Sequence, residues 1–143
     1  MSSGVKSMKK YKTGLIFGTF ELFHIGHINL LRRAKARCER LIVCLGSDEF
    51  IKKRKKHETV IKFRDRRRII ESIKYVDETG SQPFSLRKKE EVKKYNPDVI
   101  FVGDDWKNKD WDGAKLGIPV IYLPYTKRIS TTIIKKKLEF LKF

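Results

Sequence analysis

Apolar runs of strand length alternate along this chain with segments of helical periodicity, and this alternation constrains the fold more than any other feature. The runs occupy residues 14–18, 41–45, 99–102 and 119–123, and residues 75–77 form a shorter candidate for an edge strand. Between them, apolar residues recur three or four positions apart, as on one face of a helix. Strands that alternate with helices form βαβ units, whose strands are parallel. The sequence therefore predicts an α/β fold with a mostly parallel sheet of about five strands and flanking helices.

Polar signals mark where the predicted helices begin and end. The charged helix over residues 86–95 must end before Pro97, because the residue that precedes a proline avoids helical backbone. A further helix begins after Ser47, and we expect Asp48 to cap it. A cluster of hydroxyl side chains at residues 130–132 opens the last helix, which continues to about residue 141.

The chain carries a strong excess of positive charge, with 34 Lys and Arg against 17 Asp and Glu, a net charge of +17. The excess is concentrated in residues 52–68 and 127–143. Such surfaces attract anionic partners, which leaves two classes open: a nucleic-acid backbone, or a nucleoside triphosphate together with a phosphorylated co-substrate. Many of these lysines are also expected to do no more than solvate the surface.

The length and composition fit one domain. We expect residues 1–12, which are polar and basic, to be a disordered or tag-like segment and residues 13–143 to form a single domain. No apolar run approaches the about 20 residues of a membrane span, so we expect no membrane contact and a cytoplasmic location. Cys38 and Cys44 lack the paired spacing of a zinc site, and no metal site within the protein is predicted.

One motif carries the chemistry. His24 and His27 follow the first predicted strand, with Gly18 and Gly26 in the same turn, and the chain then runs straight into a helix. In an open parallel sheet, ligands bind beyond the carboxyl ends of the strands, where a helix N-terminus offers free N–H groups to phosphate. Two imidazoles three residues apart can face one point there and donate hydrogen bonds to a phosphoryl oxygen. The motif therefore predicts a phosphate site at this turn.

This stretch resembles the HxGH signature of the cytidylyltransferase family within the nucleotidyltransferase superfamily. Further segments recur in the same order in that family, at residues 47–50, 53–56, 66 with 69–71, 75–78, 103–106 and 129–132. The resemblance extends from about residue 13 to residue 138. The segments at 103–106 and 129–132 direct it toward the branch of the family that acts on glycerol phosphate and phosphocholine. The resemblance implies a Rossmann-like sheet and a homodimer with its interface near the HxGH helix.

The resemblance also implies a reaction and a site. CMP is expected to pass from CTP, accompanied by Mg²⁺, to a phosphorylated acceptor similar to glycerol 3-phosphate, with release of pyrophosphate. The residues expected to act in catalysis are His24, His27, Lys53 and Lys55. Those expected to hold the nucleotide are Gly18, Thr19, Phe20, Gly26, Lys56, Asp104, Asp105, Arg128, Ile129, Ser130 and Thr131. Which of the lysines at positions 53, 55 and 56 is catalytic stays open.

Four positions depart from the family pattern. Glu21 stands where the family has Asp, which keeps the charge on a longer arm, and Lys74 stands where it has Arg. Tyr125 takes the place of an expected cation, and Arg128 replaces a glycine. We expect Lys127 or Arg128 to supply the missing triphosphate contact from a shifted backbone. Altered acceptor specificity or reduced activity are the alternatives.

Several readings of the function remain open. The acceptor could be phosphocholine, phosphoethanolamine, or a sugar or amino-acid phosphate, and the nucleotide could be ATP. The chain could also be a relative that binds nucleotide without turnover. A basic nucleic-acid-binding domain is the alternative from another class of protein. The sequence contains no known nucleic-acid-binding motif, so we expect no nucleic acid among the partners.

Overall fold

The computed structural model describes residues 10–82, 88–108 and 116–141. The strands are β1 (Tyr11–Gly18), β2 (Cys38–Gly46), β3 (Glu78–Gln82), β4 (Val99–Gly103) and β5 (Val120–Leu123). The helices are α1 (Ile25–Lys35), α2 (Asp48–Lys55), α3 (Phe63–Glu71), α4 (Lys88–Tyr95) and α5 (Thr131–Glu139), with a 3₁₀ turn at Asp104–Trp106. Within the described ranges, no helix combines the length and the apolar character that crossing a membrane requires.

The five strands form one sheet in the order β3-β2-β1-β4-β5, and every neighbouring pair is parallel. The chain builds outward from β1 through β2 to β3 and then returns to the other side of β1 for β4. The order therefore reverses between β1 and β4. In open α/β sheets the ligand crevice lies at such a reversal, beyond the carboxyl ends of the strands.

Alternating side chains of the strands pack two cores on opposite faces of the sheet. Ile16 of β1 belongs to the larger core, which buries Leu31 of α1 and Ile70 of α3. Leu15 belongs to the smaller core, against which Val92 of α4 packs. The parallel sheet is thus covered on both faces, as its continuous apolar strands require.

The α/β class, the parallel five-stranded sheet and the Rossmann-like order of the strands are confirmed. The predicted strand over residues 75–77 was misplaced, because the strand is Glu78–Gln82. Asp77 instead closes the turn before it: the Asp77 carboxylate accepts a hydrogen bond from the Leu41 N–H at 2.7 Å and pairs with Lys35 Nζ at 2.6 Å. β3 is an edge strand, as expected. β1 begins at Tyr11, so the last two residues of the predicted segment 1–12 belong to the sheet, while residues 1–9 lie outside the described ranges.

Candidate active site

A cavity of about 530 Å³ opens at the carboxyl ends of β1 and β4. Its walls come from the turn that follows β1, the first turn of α1, the last turn of α2, the end of β4, and the segment that leads into α5. These five elements are distant in the sequence, and the reversal of strand order brings them to one edge of the sheet. The motif residues that are predicted to bind phosphate therefore line the cavity.

The two motif histidines cap α1 and fix each other's orientation. His24 is the N-cap, and its Nδ1 accepts a hydrogen bond from the Gly26 N–H at 3.0 Å. His27 Nδ1 accepts one from the His24 N–H at 3.1 Å. A ring nitrogen that accepts a hydrogen bond carries no proton, so in each neutral ring the proton is on Nε2. Both imidazoles, whose rings stack with centroids 3.8 Å apart, therefore keep Nε2–H as their donor.

The surroundings keep these imidazoles uncharged. Burial, and secondarily the neighbouring His24 ring, lowers the pKa of His27 to about 3. Burial also lowers the pKa of His24. The rings of Phe20 and Phe23 lie against the His27 ring, with centroids 5.3 and 5.2 Å away. The site thus presents two neutral, oriented donors at neutral pH.

Both glycines of the motif are required by close contacts. A Cβ on Gly18 would lie 2.6 Å from the Phe20 ring, and one on Gly26 would lie 2.8 Å from the His24 ring. Phe20 itself has φ 52°, a left-handed backbone that costs a non-glycine residue energy. The backbone at these two positions therefore lies closer to the aromatic rings than any residue with a Cβ would allow.

The last turn of α2 supplies cations to the cavity wall, from Arg54 and Lys55. Phe50 and Ile51 bury the inner face of α2, and positions four residues later lie on the same face. Burial, followed by the nearby positive charges of Lys135 and Arg54, lowers the pKa of Lys55. The last turn of α2 therefore gives the cavity a positively charged wall.

The N-terminus of α5 forms another side of the cavity through Ile129, Ser130 and Thr131. Ser130 is the N-cap, and its Oγ accepts a hydrogen bond from the Ile133 N–H at 3.1 Å. Thr131 Oγ1 donates to the Glu21 carbonyl oxygen at 2.8 Å, which ties α5 to the motif turn. A helix N-terminus carries a partial positive charge and unpaired N–H groups, and both favour phosphate.

The segment before α5 is anchored so that Tyr125, and not Arg128, faces the cavity. The Tyr125 N–H donates to Asp104 Oδ1 at 3.3 Å, and Asn29 Nδ2 of α1 donates to Thr126 Oγ1 at 3.0 Å. Arg128 is exposed and is absent from the described cavity wall. Lys127, the alternative to Arg128, is exposed and absent from the described wall as well. That one of these two residues contacts the triphosphate stays a prediction.

The structure brings together most of the predicted site residues. The predicted residues on the wall are Gly18, Thr19, Phe20, His24, Gly26, His27, Lys55, Asp105, Ile129, Ser130 and Thr131. Those that the described part of the wall does not include are Lys53, Lys56, Asp104 and Arg128. Arg54 was missed, although its spacing of four residues from the apolar Phe50 is visible in the sequence.

Asp48 was predicted to cap α2, and this was wrong. Ser47 is the N-cap, with its Oγ accepting from the Phe50 N–H at 3.0 Å. Asp48 turns toward α3, where Oδ1 accepts from the Phe63 N–H at 3.0 Å and from Arg66 Nη2 at 2.7 Å. Burial alone would raise the pKa of Asp48, but these hydrogen bonds lower it overall.

Comparison with known proteins gives concordant matches. The family described as cytidylyltransferase-like matches residues 15–137. A relative from Bacillus subtilis named glycerol-3-phosphate cytidylyltransferase is 42% identical over 92% of this chain and 98% of its own length. One of the same name from Staphylococcus aureus is 40% identical over 89% and 95%. The fold is similar to that of a lipopolysaccharide core biosynthesis protein from Thermoplasma volcanium, with a TM-score of 0.66 and 22% identity over 81% of this chain and 97% of that one.

Proposed function

The chain belongs to the cytidylyltransferase-like family and is a nucleotidyltransferase, and from this premise we propose that it transfers CMP from CTP to glycerol 3-phosphate and releases pyrophosphate. The observation that carries the proposal is the pair of neutral imidazoles, each with Nδ1 satisfied and Nε2–H left as donor, in a cavity that also has a cationic wall.

The reaction needs positioning and charge stabilisation more than proton transfer. An oxygen of the acceptor phosphate attacks the α-phosphorus of CTP and forms a new O–P bond. The bond from the α-phosphorus to the oxygen that bridges it to the β-phosphorus breaks, and its electron pair leaves with pyrophosphate. The attacking oxygen is already anionic at neutral pH, so no catalytic base is required.

Each wall of the cavity suits one part of this reaction. We assign His24 and His27 to the α-phosphate, where their Nε2–H groups stabilise the charge that develops on oxygen. Arg54 and Lys55 of α2 suit the β- and γ-phosphates, as do the N–H groups at the start of α5.

Mg²⁺ fits this site as a companion of the triphosphate. The described residues include no group of three His, Cys, Asp or Glu side chains that could hold a metal by themselves. Asp105 is the one carboxylate on the described cavity wall. Mg²⁺ commonly binds through one or two carboxylates and the substrate phosphates, so Asp105 is the residue that would hold it. When bound, the ion neutralises triphosphate charge.

The choice of glycerol 3-phosphate rests on the relatives of that name, which are 42% and 40% identical to this chain over about nine-tenths of its length. Asp105 and Tyr125 line the cavity, and a carboxylate and a phenol are groups that can form hydrogen bonds with hydroxyl groups. Phosphocholine, phosphoethanolamine and sugar or amino-acid phosphates remain the acceptors against which the proposal is tested.

A matrix of nucleotides and acceptors tests the proposal. Pyrophosphate release is measured with CTP and ATP, each combined with glycerol 3-phosphate, phosphocholine, phosphoethanolamine or a sugar phosphate. We expect release with CTP and glycerol 3-phosphate, and a severe loss in His24→Ala but not in Phe140→Ala, a change at an exposed apolar residue. Preference for ATP or for another acceptor would overturn the substrate assignment. Binding of CTP without turnover would identify a silent relative.

We further propose that the protein is a homodimer with its interface at the start of α1. Ile25, the first residue of α1, is 41% exposed beside the motif histidines. Sedimentation equilibrium should give the mass of a dimer for the wild type and of a monomer for Ile25→Glu. Val60→Glu, at a residue 62% exposed elsewhere, should stay dimeric. A monomeric wild type would contradict the proposal.

We also propose that the protein is located in the cytoplasm. Cys38 and Cys44 are free, buried thiols, which suits a reducing compartment. Fractionation of cells that express the chain should recover it with cytoplasmic proteins, and recovery from a secreted or membrane fraction would contradict this.

A further inference from the structure

A buried arginine that the reaction does not use joins the separate parts of the site. Arg66 of α3 is 1% exposed, and its guanidinium donates four hydrogen bonds. Three go to backbone carbonyls: Nε to Ile61 at 2.9 Å, and Nη1 to Thr19 and to Gly46, each at 2.9 Å. The fourth joins Nη2 to Asp48 Oδ1 at 2.7 Å. Thr19 lies in the motif turn, and Asp48 begins α2, so one side chain links the two.

Glu21 completes the arrangement from the motif turn. It is 5% exposed, and its two carboxylate oxygens accept hydrogen bonds from the N–H groups of Val60 and Ile61, both at 2.8 Å. Its carbonyl oxygen accepts from Thr131 of α5. Arg66 holds the carbonyl of the same Ile61. The segment between α2 and α3 is therefore fastened at both the N–H and the carbonyl oxygen of one residue, Ile61.

The hydrogen bonds of Arg66 and Glu21 determine the positions of Arg54 and Lys55, because α2 connects them. Asp48 is the first residue of this eight-residue helix and Lys55 is the last, so the two are about 10 Å apart along the axis. Phe50 and Ile51, each 2% exposed, fix the rotation of the helix about that axis. What holds Asp48 and the segment after α2 therefore sets where Arg54 and Lys55 stand.

We propose that Glu21, Asp48 and Arg66 are positioning residues, which hold the cationic end of α2 at a fixed place relative to the motif histidines. The inference rests on the proposed function and adds the reason why the triphosphate meets its cations already in place. Cations held in advance lose less freedom when phosphate binds.

Glu21 makes the inference specific to this chain. The family has Asp at this position, and Asp keeps the charge but is one methylene shorter. Because both oxygens of Glu21 are used at 2.8 Å, a shorter arm cannot reach both N–H groups without moving the segment. Glu21→Asp, the residue typical of the family, should therefore weaken nucleotide binding in this protein.

The experiment compares Glu21→Asp and Arg66→Lys with Glu58→Asp. Glu58 lies in the same connection between α2 and α3, but its carboxylate is exposed and pairs with Lys52 and Lys62. We expect the first two variants to raise the KM for CTP roughly 10-fold or more, with a smaller change in the KM for the acceptor and with α/β circular dichroism retained. The control should match the wild type. Equal changes in both KM values, or none, would overturn the inference.

A double-mutant cycle separates positioning from general loss of structure. If Glu21 acts through α2, then Glu21→Asp should cost much less CTP affinity when Lys55 is already alanine. Independent effects that simply multiply would refute the role, even if both variants fold. CTP affinity is measured by calorimetry on the whole 143-residue chain. A wild type that binds no CTP would instead remove the proposed function, so the two failures are distinguishable.

Discussion

The neutral state of His27 can be tested through the pH dependence of folding. The pKa of His27 falls from 6.5 to about 3 in the folded protein, because burial opposes its charge. A lowered pKa gives stability that is complete above pH 6.5 and is lost as the pH falls toward 3. At pH 5 the unfolded chain binds a proton at His27 and the folded chain does not. The difference amounts to about 2 kcal/mol of lost stability relative to pH 7.

The perturbation is His27→Asn, whose amide oxygen can still accept the hydrogen bond from the His24 N–H. Urea unfolding of both proteins at pH 7 and pH 5 gives the free energy of unfolding in each case. The contributions of other titrating groups cancel when the two pH differences are compared. We expect the wild type to lose about 2 kcal/mol more than the variant on acidification. Equal losses would refute the claim that His27 is held neutral, and the assignment of its Nε2–H donor would then fail.

Three further predictions concern the cavity wall. His24→Ala and His27→Ala should each lower kcat roughly 100-fold or more without unfolding the protein, and near-normal turnover in both would contradict their role. Lys55→Ala should raise the KM for CTP roughly 10-fold or more. Lys53 lies on the opposite face of α2, so Lys53→Ala should change this KM only slightly. Equal, small changes in both variants would indicate ordinary surface lysines. Arg128→Gly should leave the KM for CTP nearly unchanged, because Arg128 lies outside the described wall, and a strong rise would show that it reaches the triphosphate.

Much of the fold could be predicted because buried parallel strands have a distinctive sequence. The runs that became β1, β2, β4 and β5 are apolar on both faces of the sheet and lie between helical segments. β3 could not be located in this way, because the strand Glu78–Gln82 is polar and lies at the edge of the sheet. The more apolar residues 75 and 76 lie in a turn and pack against the larger core. Apolar content therefore located the edge strand β5 but not the polar edge strand β3.

The parts of the site that depend on spacing within one helix could be predicted from the sequence. The parts that depend on contacts between distant segments could not. The two histidines are three residues apart at a helix start, and this spacing brings their rings together with centroids 3.8 Å apart. The cations of α2 could have been chosen from Phe50 and Ile51 by counting one helical turn onward. The role of Arg66 could not be read in this way, because its partners lie 5, 18, 20 and 47 residues away in the chain. The exclusion of Arg128 from the cavity wall could not be predicted either, because the segment before α5 is held by hydrogen bonds to distant residues of α1 and to Asp104.

Phosphorus NMR of the product tests the central claim most directly. The purified chain is incubated with CTP, Mg²⁺ and glycerol 3-phosphate, and the spectrum is followed with time. We predict that the resonances of CTP and of the phosphomonoester decline together, while pyrophosphate and a pair of coupled diphosphate resonances appear in equal amounts. A spectrum in which CTP stays intact, or yields CMP without a new diphosphate, would contradict cytidylyl transfer to this acceptor.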